Sequence, residues 1–252
     1  MSKPFTKAFT LHVLDGPEAF NQFGAQYLTA LAQAAVAQHG RFNLALSGGG
    51  TPAGIYTLLG ERPYRQQMPW QQTHLYWGDE RLVPPNDPGS NFGQINELLL
   101  KKVPIPNENI HRARGEWVME TAVADYINQL QAITTGSAIP IFDVVLLGMG
   151  SDGHTASLFP NSPVAMPEWV VGVITDYDGR PAHRISLTPT VINHARHIIF
   201  LVSGGSKAET LQKVLYGRSQ PEQLPAQRIQ PTHGTLTWLL DTAAAQNLTK
   251  LK

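Results

Sequence analysis

Short runs of uninterrupted apolar residues alternate along the chain with longer segments in which apolar residues recur every three or four positions. Such alternation predicts an α/β fold with a mostly parallel sheet flanked by helices. Phe9–Leu14 reads as a first strand. Pro17 then suits an opening helical position, and Phe20, Phe23, Tyr27, Leu31 and Ala34 fall at three- and four-residue steps, as on the buried face of an amphipathic helix. Further strands are predicted at Phe42–Leu46, His74–Trp77, Ile141–Leu147, Val170–Ile174 and His197–Val202, several of them apolar throughout, as strands buried on both faces tend to be. Helices are expected between them at Pro52–Leu59, Gly93–Leu100, Glu120–Ile133 and Ala208–Leu215, with a last one over Thr242–Asn247 capped by Asp241. Val83–Ser90 and Val103–Asn109 are rich in proline and too short for domain linkers, so residues 1–252 are read as one domain.

Composition narrows the possible partners. Of 252 residues, 42% are hydrophobic, and 19 Lys and Arg balance 19 Asp and Glu, so no global field draws the chain to nucleic acid or to an acidic membrane surface. There is no cysteine, which excludes disulfides, thiolate metal sites and cysteine nucleophiles, and suits a reducing cytoplasm. The longest apolar stretches, such as Ile198–Val202 and Val144–Leu147, fall far short of the roughly 20 residues needed to cross a bilayer. The opening MSKPFTKAFTLHVLDG lacks the continuous apolar block of a secretory signal, and is read as mature and intracellular.

Candidate chemistry lies where ligands bind open α/β sheets, beyond the carboxyl ends of the strands. Four predicted strands end in unusual loops. Ser47-Gly48-Gly49-Gly50-Thr51-Pro52 follows the second, a glycine loop entering a helix start, where free backbone N–H groups can cradle a phosphate. Gly78-Asp79-Glu80-Arg81 follows the next, ahead of a loop through Asp87, Ser90 and Asn91; Arg81 suits a bidentate phosphoryl contact and Asp79 can accept from sugar hydroxyls. Gly148-Met149-Gly150-Ser151-Asp152-Gly153-His154 carries a G-x-G-x-x-G spacing, with Asp176 or Asp178 at the distance of a ribose carboxylate. This keeps a nicotinamide enzyme open as an alternative, although Asp152 would set negative charge against a pyrophosphate and Pro160 stops any long helix. His154 is the best candidate for a general base, since a neutral imidazole can take a proton from water. Ser203-Gly204-Gly205-Ser206-Lys207 ends in a lysine at a helix start, placed to bind phosphate, and neither glycine loop matches a Walker sequence. His194 and His197 form a pair with no local third ligand, so no metal is expected.

Taken together, LALSGGGTPAGIY (Leu44–Tyr56), YWGDERLVPPNDPGSN (Tyr76–Asn91), FDVVLLGMGSDGHTASLFP (Phe142–Pro160), RISLTP (Arg184–Pro189), FLVSGGSKAETL (Phe200–Leu211) and LPAQRIQPTHGTLTWLLD (Leu224–Asp241) resemble, in order and spacing, the 6-phosphogluconolactonases of the glucosamine-6-phosphate isomerase/6-phosphogluconolactonase superfamily. The resemblance implies a Rossmann-like domain that hydrolyses 6-phospho-D-glucono-1,5-lactone to 6-phosphogluconate in the oxidative pentose phosphate pathway, with no cofactor. It implies that Ser47–Thr51, Arg81 and Lys207 hold the phosphate and that His154 activates water. Backbone N–H groups of the Gly148–Gly153 loop are expected to receive the oxyanion, Asp152 either orients the imidazole or shapes the turn, and Arg184 either reaches substrate or braces Asp152. Trp238 is expected to pack. Two alternatives share the scaffold. A non-catalytic sugar-phosphate-binding protein would not need His154. An aminosugar-phosphate deaminase would carry a glutamate where this chain has Phe159 and an aromatic where it has Arg81.

Overall fold

The computed structural model describes residues 8–134 and 136–248; of the opening segment read above as free of a secretory signal, residues 1–7 lie outside these. Its elements run β1 (Thr10–Leu14), α1 (Gly16–His39), β2 (Phe42–Leu46), α2 (Ala53–Leu59), α3 (Tyr64–Gln67), β3 (Thr73–Trp77), β4 (Asp79–Arg81), α4 (Asn91–Leu98), α5 (Met119–Leu130), β5 (Val144–Gly148), β6 (Val170–Ile174), β7 (His183–Leu187), α6 (Pro189–Ile192), β8 (His197–Val202), α7 (Ala208–Tyr216) and β9 (Thr235–Asp241). Six strands form one sheet in the order β1-β9-β8-β5-β2-β3, and every neighbouring pair in it is parallel. A separate antiparallel sheet joins β4, β7 and β6 in that order.

The continuous apolar runs are explained by layers on both faces of the large sheet. Leu44 and Leu46 of β2, Val144 and Leu146 of β5, and Ile199 and Leu201 of β8 enter one core with α1, α2 and α4. The residues between them, Ala45, Val145, Leu147, Ile198 and Phe200, enter the other, with α5 and α7. Each fully buried leucine or isoleucine contributes on the order of 2 kcal/mol. Trp238 is fully buried and stacks on Phe200 with centroids 3.9 Å apart, so its role is packing.

Several elements depart from the sequence reading. In α1 the buried stripe runs through Phe20, Gly24, Ala25, Leu28, Ala32 and Ala35, while Phe23, Tyr27 and Leu31 only flank the core and Ala34 is exposed. The reason is close approach: a Cβ on Gly24 would lie 2.4 Å from Ile55 Cδ1, so small residues carry the contact. Val170–Ile174 belongs to the antiparallel sheet, and β4, β7 and β9 were not foreseen as strands. β4 is a charged triplet that pairs because β7 lies beside it, in register from Asp79 with Ser186 to Arg81 with Arg184, a case of tertiary context overriding weak propensity. No regular helix follows Asp241 among the described residues. Its Oδ1 does accept from the Ala244 amide at 2.7 Å, but it also accepts from Gly204 N, and Thr242 N donates to Leu14 O, which holds 242–248 as a series of turns.

Polar groups gather at the amino ends of the strands, remote from the loops singled out above. Asp143, nearly buried, accepts from the Asn43 amide and pairs with His39 at 2.9 Å and Arg196 at 3.3 Å. His74 Nδ1 meets His111 Nε2 at 3.0 Å, and His111 stacks on Tyr76 at 4.4 Å, whose hydroxyl accepts from Arg41. Burial, and then the Arg41 charge, push His74 and His111 each down to about 4. An unfolded histidine titrates near about 6.5, so on acidification the unfolded chain takes up protons first. The stability carried by the neutral pair is present above about pH 6.5 and is lost as pH falls towards about 4. Thermal melts between about pH 7.5 and about pH 5 are expected to show the midpoint falling with pH, and His111→Leu is expected to flatten that slope, its midpoint at the acid end losing several degrees less than wild type.

Candidate active site

Because all strands of the large sheet point the same way, the loops following β2, β3, β5 and β8 emerge at one edge. They enclose a cavity of about 260 Å³. The glycine loop after β2 is fixed from both ends. Tyr56, on α2, donates its hydroxyl to Ser47 O at 2.8 Å and accepts from Ser47 N, and Gln94 of α4 clasps Gly49, accepting from its amide at 3.0 Å and donating to its carbonyl at 3.1 Å. The Gly49 amide, expected to serve a ligand, is thereby spent. Those of Gly48, Gly50 and Thr51 carry no hydrogen bond among the described residues. Gly49 has φ +92°, and a Cβ on Gly48 would lie 1.8 Å from Asn91 Oδ1, so glycine is required at both. Thr51 Oγ1 and Ser203 Oγ, 3.1 Å apart, tie the two glycine loops together.

The charge triplet of β4 serves three ends. Asp79 accepts from Ser157 Oγ at 2.7 Å. Arg81 Nη1 donates to Gly89 O at 2.7 Å, leaving the rest of the guanidinium on the cavity wall. Glu80 faces the other way and is 1% exposed. One carboxylate oxygen accepts from the amides of Arg81 and Asn91, the other from the Phe92 amide and Ser90 Oγ. Burial pushes its carboxyl up to about 7 against the pull of these amides. Glu80 thereby caps the start of α4 and fixes Arg81 and Asn91, both of which line the cavity.

Across from Arg81, Arg184 is 2% exposed. It donates through Nε to Pro181 O, and its guanidinium lies 5.3 Å over the ring of Phe159. Burial, and then the charge of Arg81, hold its pKa below the ordinary value. Arg184 makes no ion pair with Asp152 among the described residues, so the bracing role does not fit and a place on the cavity wall does. The Lys207 amide donates to Gly204 O, while no hydrogen bond or ion pair is found for its ammonium among the described residues; burial lowers its pKa, and Asp241 draws it back only in part.

Behind β5, the Gly150 amide donates to His154 O and the Gly153 amide to Gly150 O, so neither is available to an incoming oxyanion. No helix follows: residues 149–169 make turns and a short bridge, and a pyrophosphate would find no helix start there. The loop instead presents an imidazole. His154 Nδ1 lies 2.7 Å from Asp152 Oδ1, an oxygen that also accepts from the His154 amide. A Cβ on Gly150 would stand 2.1 Å from that ring nitrogen, so the pair can form only beside glycine. Burial pushes the Asp152 carboxyl up, but the hydrogen bond and charge of His154 outweigh it and leave the group below its usual value. With Nδ1–H committed to a carboxylate, Nε2 is the basic nitrogen.

Ser47, Gly48, Gly49, Gly50, Thr51, Asp79, Arg81, His154, Arg184 and Lys207 all line this one cavity. Asp152 does not line the cavity, and its carboxylate is bonded both to the imidazole and to the His154 amide. His194 and His197 bind elsewhere, to Thr190 O and Thr235 Oγ1. Sequence reasoning missed Glu80, whose partners besides the adjacent Arg81 amide lie ten to twelve residues on, past the proline-rich loop at the start of α4, and leave no local signal. It missed Tyr177 and Arg180 on the cavity wall, although the Asp178-Gly179 pair between them is a hairpin signal that could have been read.

Fold and site together define an α/β protein with an anion-binding, imidazole-bearing cavity at the carboxyl edge of a parallel sheet. A family model described as "Glucosamine-6-phosphate isomerases/6-phosphogluconolactonase" matches residues 15–238, and the chain belongs to that family. Among curated relatives, a 6-phosphogluconolactonase of Synechocystis is 41% identical over 223 residues, covering 85% of this chain and 88% of the relative. One of Haemophilus influenzae is 38% identical, covering 82% and 87%. The solved 6-phosphogluconolactonase of Trypanosoma brucei superposes with a TM-score of 0.85 at 26% identity, covering 96% of this chain and all of that one.

Removing the Glu80 carboxylate strands three backbone amides, that of Asn91 buried and those of Arg81 and Phe92 part-buried. Glu80→Ala is expected to cost about 3 kcal/mol in urea unfolding, far more than an exposed glutamate would.

Proposed function

We propose that the chain hydrolyses 6-phospho-D-glucono-1,5-lactone to 6-phosphogluconate, the second step of the oxidative pentose phosphate pathway. The single observation carrying this reading is the Asp152–His154 pair, 2.7 Å apart, whose imidazole lines one cavity together with Arg81, Arg184 and Lys207. Partly desolvated cations without counterions favour an anion, and a phosphate dianion answers all three at once. The amides of Gly50 and Thr51 add neutral donors at the same end, and Asp79 suits the sugar hydroxyls.

With the phosphate so held, lactone C1 comes to the imidazole. Nε2 of His154 takes a proton from water as its oxygen bonds to C1, while Asp152 stabilises the imidazolium that forms. The oxyanion on the former carbonyl oxygen is received by the backbone N–H of Ser151, a donor of the Gly148–Gly153 loop that is not consumed within it. Collapse of the tetrahedral species breaks the bond from C1 to the ring oxygen, and the imidazolium returns its proton to that leaving oxygen. No redox change occurs and no cofactor is called for. A carboxylate at the position of Phe159, as a deaminase would need, is replaced by an aromatic ring stacked on the imidazole at 4.6 Å, which supports hydrolysis over proton transfer at carbon. No helix among the described residues is long and apolar enough to cross a membrane, and the cysteine-free sequence suits a cytoplasmic setting.

Purified protein, with neither metal nor nucleotide added, is expected to release acid from freshly generated lactone well above the spontaneous rate. His154→Ala should lose on the order of 10²–10⁴-fold in kcat. Unchanged turnover in the folded variant overturns this role. Arg81→Ala and Lys207→Ala are each expected to raise KM about 10–100-fold through a lost charge-assisted contact, with a smaller effect on kcat.

A further inference from the structure

The loop joining β6 to β7 turns tightly at Tyr177-Asp178-Gly179-Arg180. Asp178 and Gly179 both have positive φ, +55° and +62°, the signature of a two-residue hairpin turn whose twist matches the strands it joins. The Arg180 amide donates to Tyr177 O at 3.1 Å, and Thr175 N to Ala182 O at 3.0 Å. The tip is therefore set by backbone hydrogen bonds and belongs to the antiparallel sheet, not to the loops that carry the reacting groups. It reaches across the cavity, and the ring of Tyr177 meets the imidazole of His154 at 4.8 Å and 73°, edge to face. Phe159 stacks on the same imidazole at 4.6 Å and 26° and contacts Tyr177 at 5.2 Å, closing a cluster of three rings. Asp152 reaches that imidazole through a hydrogen bond, and the His154 side chain is left only 17% exposed.

We propose that Tyr177 is a positioning residue for His154: its ring, carried on the hairpin tip, holds the imidazole in the orientation that keeps Nδ1 on Asp152 and shields that hydrogen bond from water. The argument has three parts. A hydrogen bond between an imidazole and a half-exposed carboxylate fixes one ring atom and leaves the ring free to swing about it. Phe159 restrains the ring on one side only. The edge of Tyr177 supplies the remaining restraint, and aromatic contacts of this geometry are worth about 0.5–1.5 kcal/mol beyond the area they bury. The Tyr177 hydroxyl is hydrogen-bonded to the Ser151 side chain rather than to the imidazole; the restraint on His154 comes from the ring, so loss of the hydroxyl is expected to leave the imidazole in place. Because Tyr177 belongs to a different sheet from the β5 loop, it also makes the orientation of the general base depend on how the two sheets are docked.

The inference rests on the proposed lactone hydrolysis for its kinetic arm and is independent of it in its chemical arm. Tyr177→Ala and Tyr177→Phe are compared with wild type after thermal melts establish that both are folded. In the chemical arm, the rate at which diethyl pyrocarbonate carbethoxylates His154 is followed by mass spectrometry of the peptide that contains it. Tyr177→Ala is expected to raise that rate about 5-fold or more and Tyr177→Phe to match wild type. In the kinetic arm, Tyr177→Ala is expected to lower kcat about 10-fold at nearly constant KM, as loss of alignment in the transition state does, and Tyr177→Phe to restore it. A Tyr177→Ala protein whose His154 modification and kcat both stay within twofold of wild type overturns the proposal. So does a Tyr177→Phe protein that behaves as Tyr177→Ala does, because the hydroxyl would then carry the effect. If wild type has no lactonase activity while the modification rates follow the expected order, the functional reading fails and the positioning role stands.

Discussion

Everything in the site follows from the polarity of the large sheet. Six strands run parallel, which requires each connection to cross back over a face and so buries both faces. It also places every strand's carboxyl end on one edge. Loops separated by about a hundred residues then meet without any long-range design of their own. The glycine loop after β2 and the one after β8 touch through Thr51 and Ser203, and the histidine loop lies between them because β5 lies between β2 and β8 in the sheet. The second sheet adds what the first cannot. Its short strands β4 and β7 are in register at Arg81 and Arg184, so two guanidinium groups are brought side by side at the cavity.

Holding Arg81 beside Arg184, with Lys207 on the same cavity, is unfavourable for the cations. Each loses water, and Arg184 feels Arg81 directly. The chain tolerates this because the carboxylates nearby are already engaged. Asp79 accepts from Ser157, Asp241 from Gly204 and Ala244, and Glu80 from three backbone amides of the β4–α4 connection. None of them forms an ion pair with these cations among the described residues, and the charges of Asp79 and Asp241 offset those of Arg184 and Lys207 only in part. About sixty buried apolar side chains in two cores support this arrangement, and under the proposed function an anion would relieve the repulsion. A protein of zero formal net charge thus carries a concentrated local field.

How much of this could be read from the sequence depends on the range of the signal. The strands β2, β5 and β8 were legible because burial on both faces leaves only apolar residues in them, and the loops after them because glycine clusters at strand ends have few structural uses. What was lost depended on partners distant in sequence. Asp79–Arg81 has poor intrinsic strand propensity and becomes a strand only beside His183–Leu187. Thr235–Asp241 was seen as a motif but not as a strand, although it pairs on both sides in the sheet. In α1 the periodicity was correct and the face was displaced, because the periodic large residues mark the rim of the contact while glycine and alanine make it. Glu80 is the clearest case: a glutamate between two cavity residues reads as one more surface charge until its carboxylate is found against the start of a helix that begins at Asn91.

The same reasoning separates the two kinds of residue around His154. Groups that must touch the ligand sit in loops whose backbone is held by neighbours: Ser47 by Tyr56, Gly49 by Gln94, Arg81 by Gly89 and Glu80. Groups that must hold the imidazole act through it and need no opening to the cavity, as Asp152 shows by bonding to the ring without lining the cavity. Gly150 completes this division. Any side chain there would occupy the space between Asp152 and His154, so the carboxylate–imidazole pair depends on a residue that contributes no functional group. Its glycine spacing, the feature that first suggested a dinucleotide, is the steric condition for a carboxylate–imidazole pair.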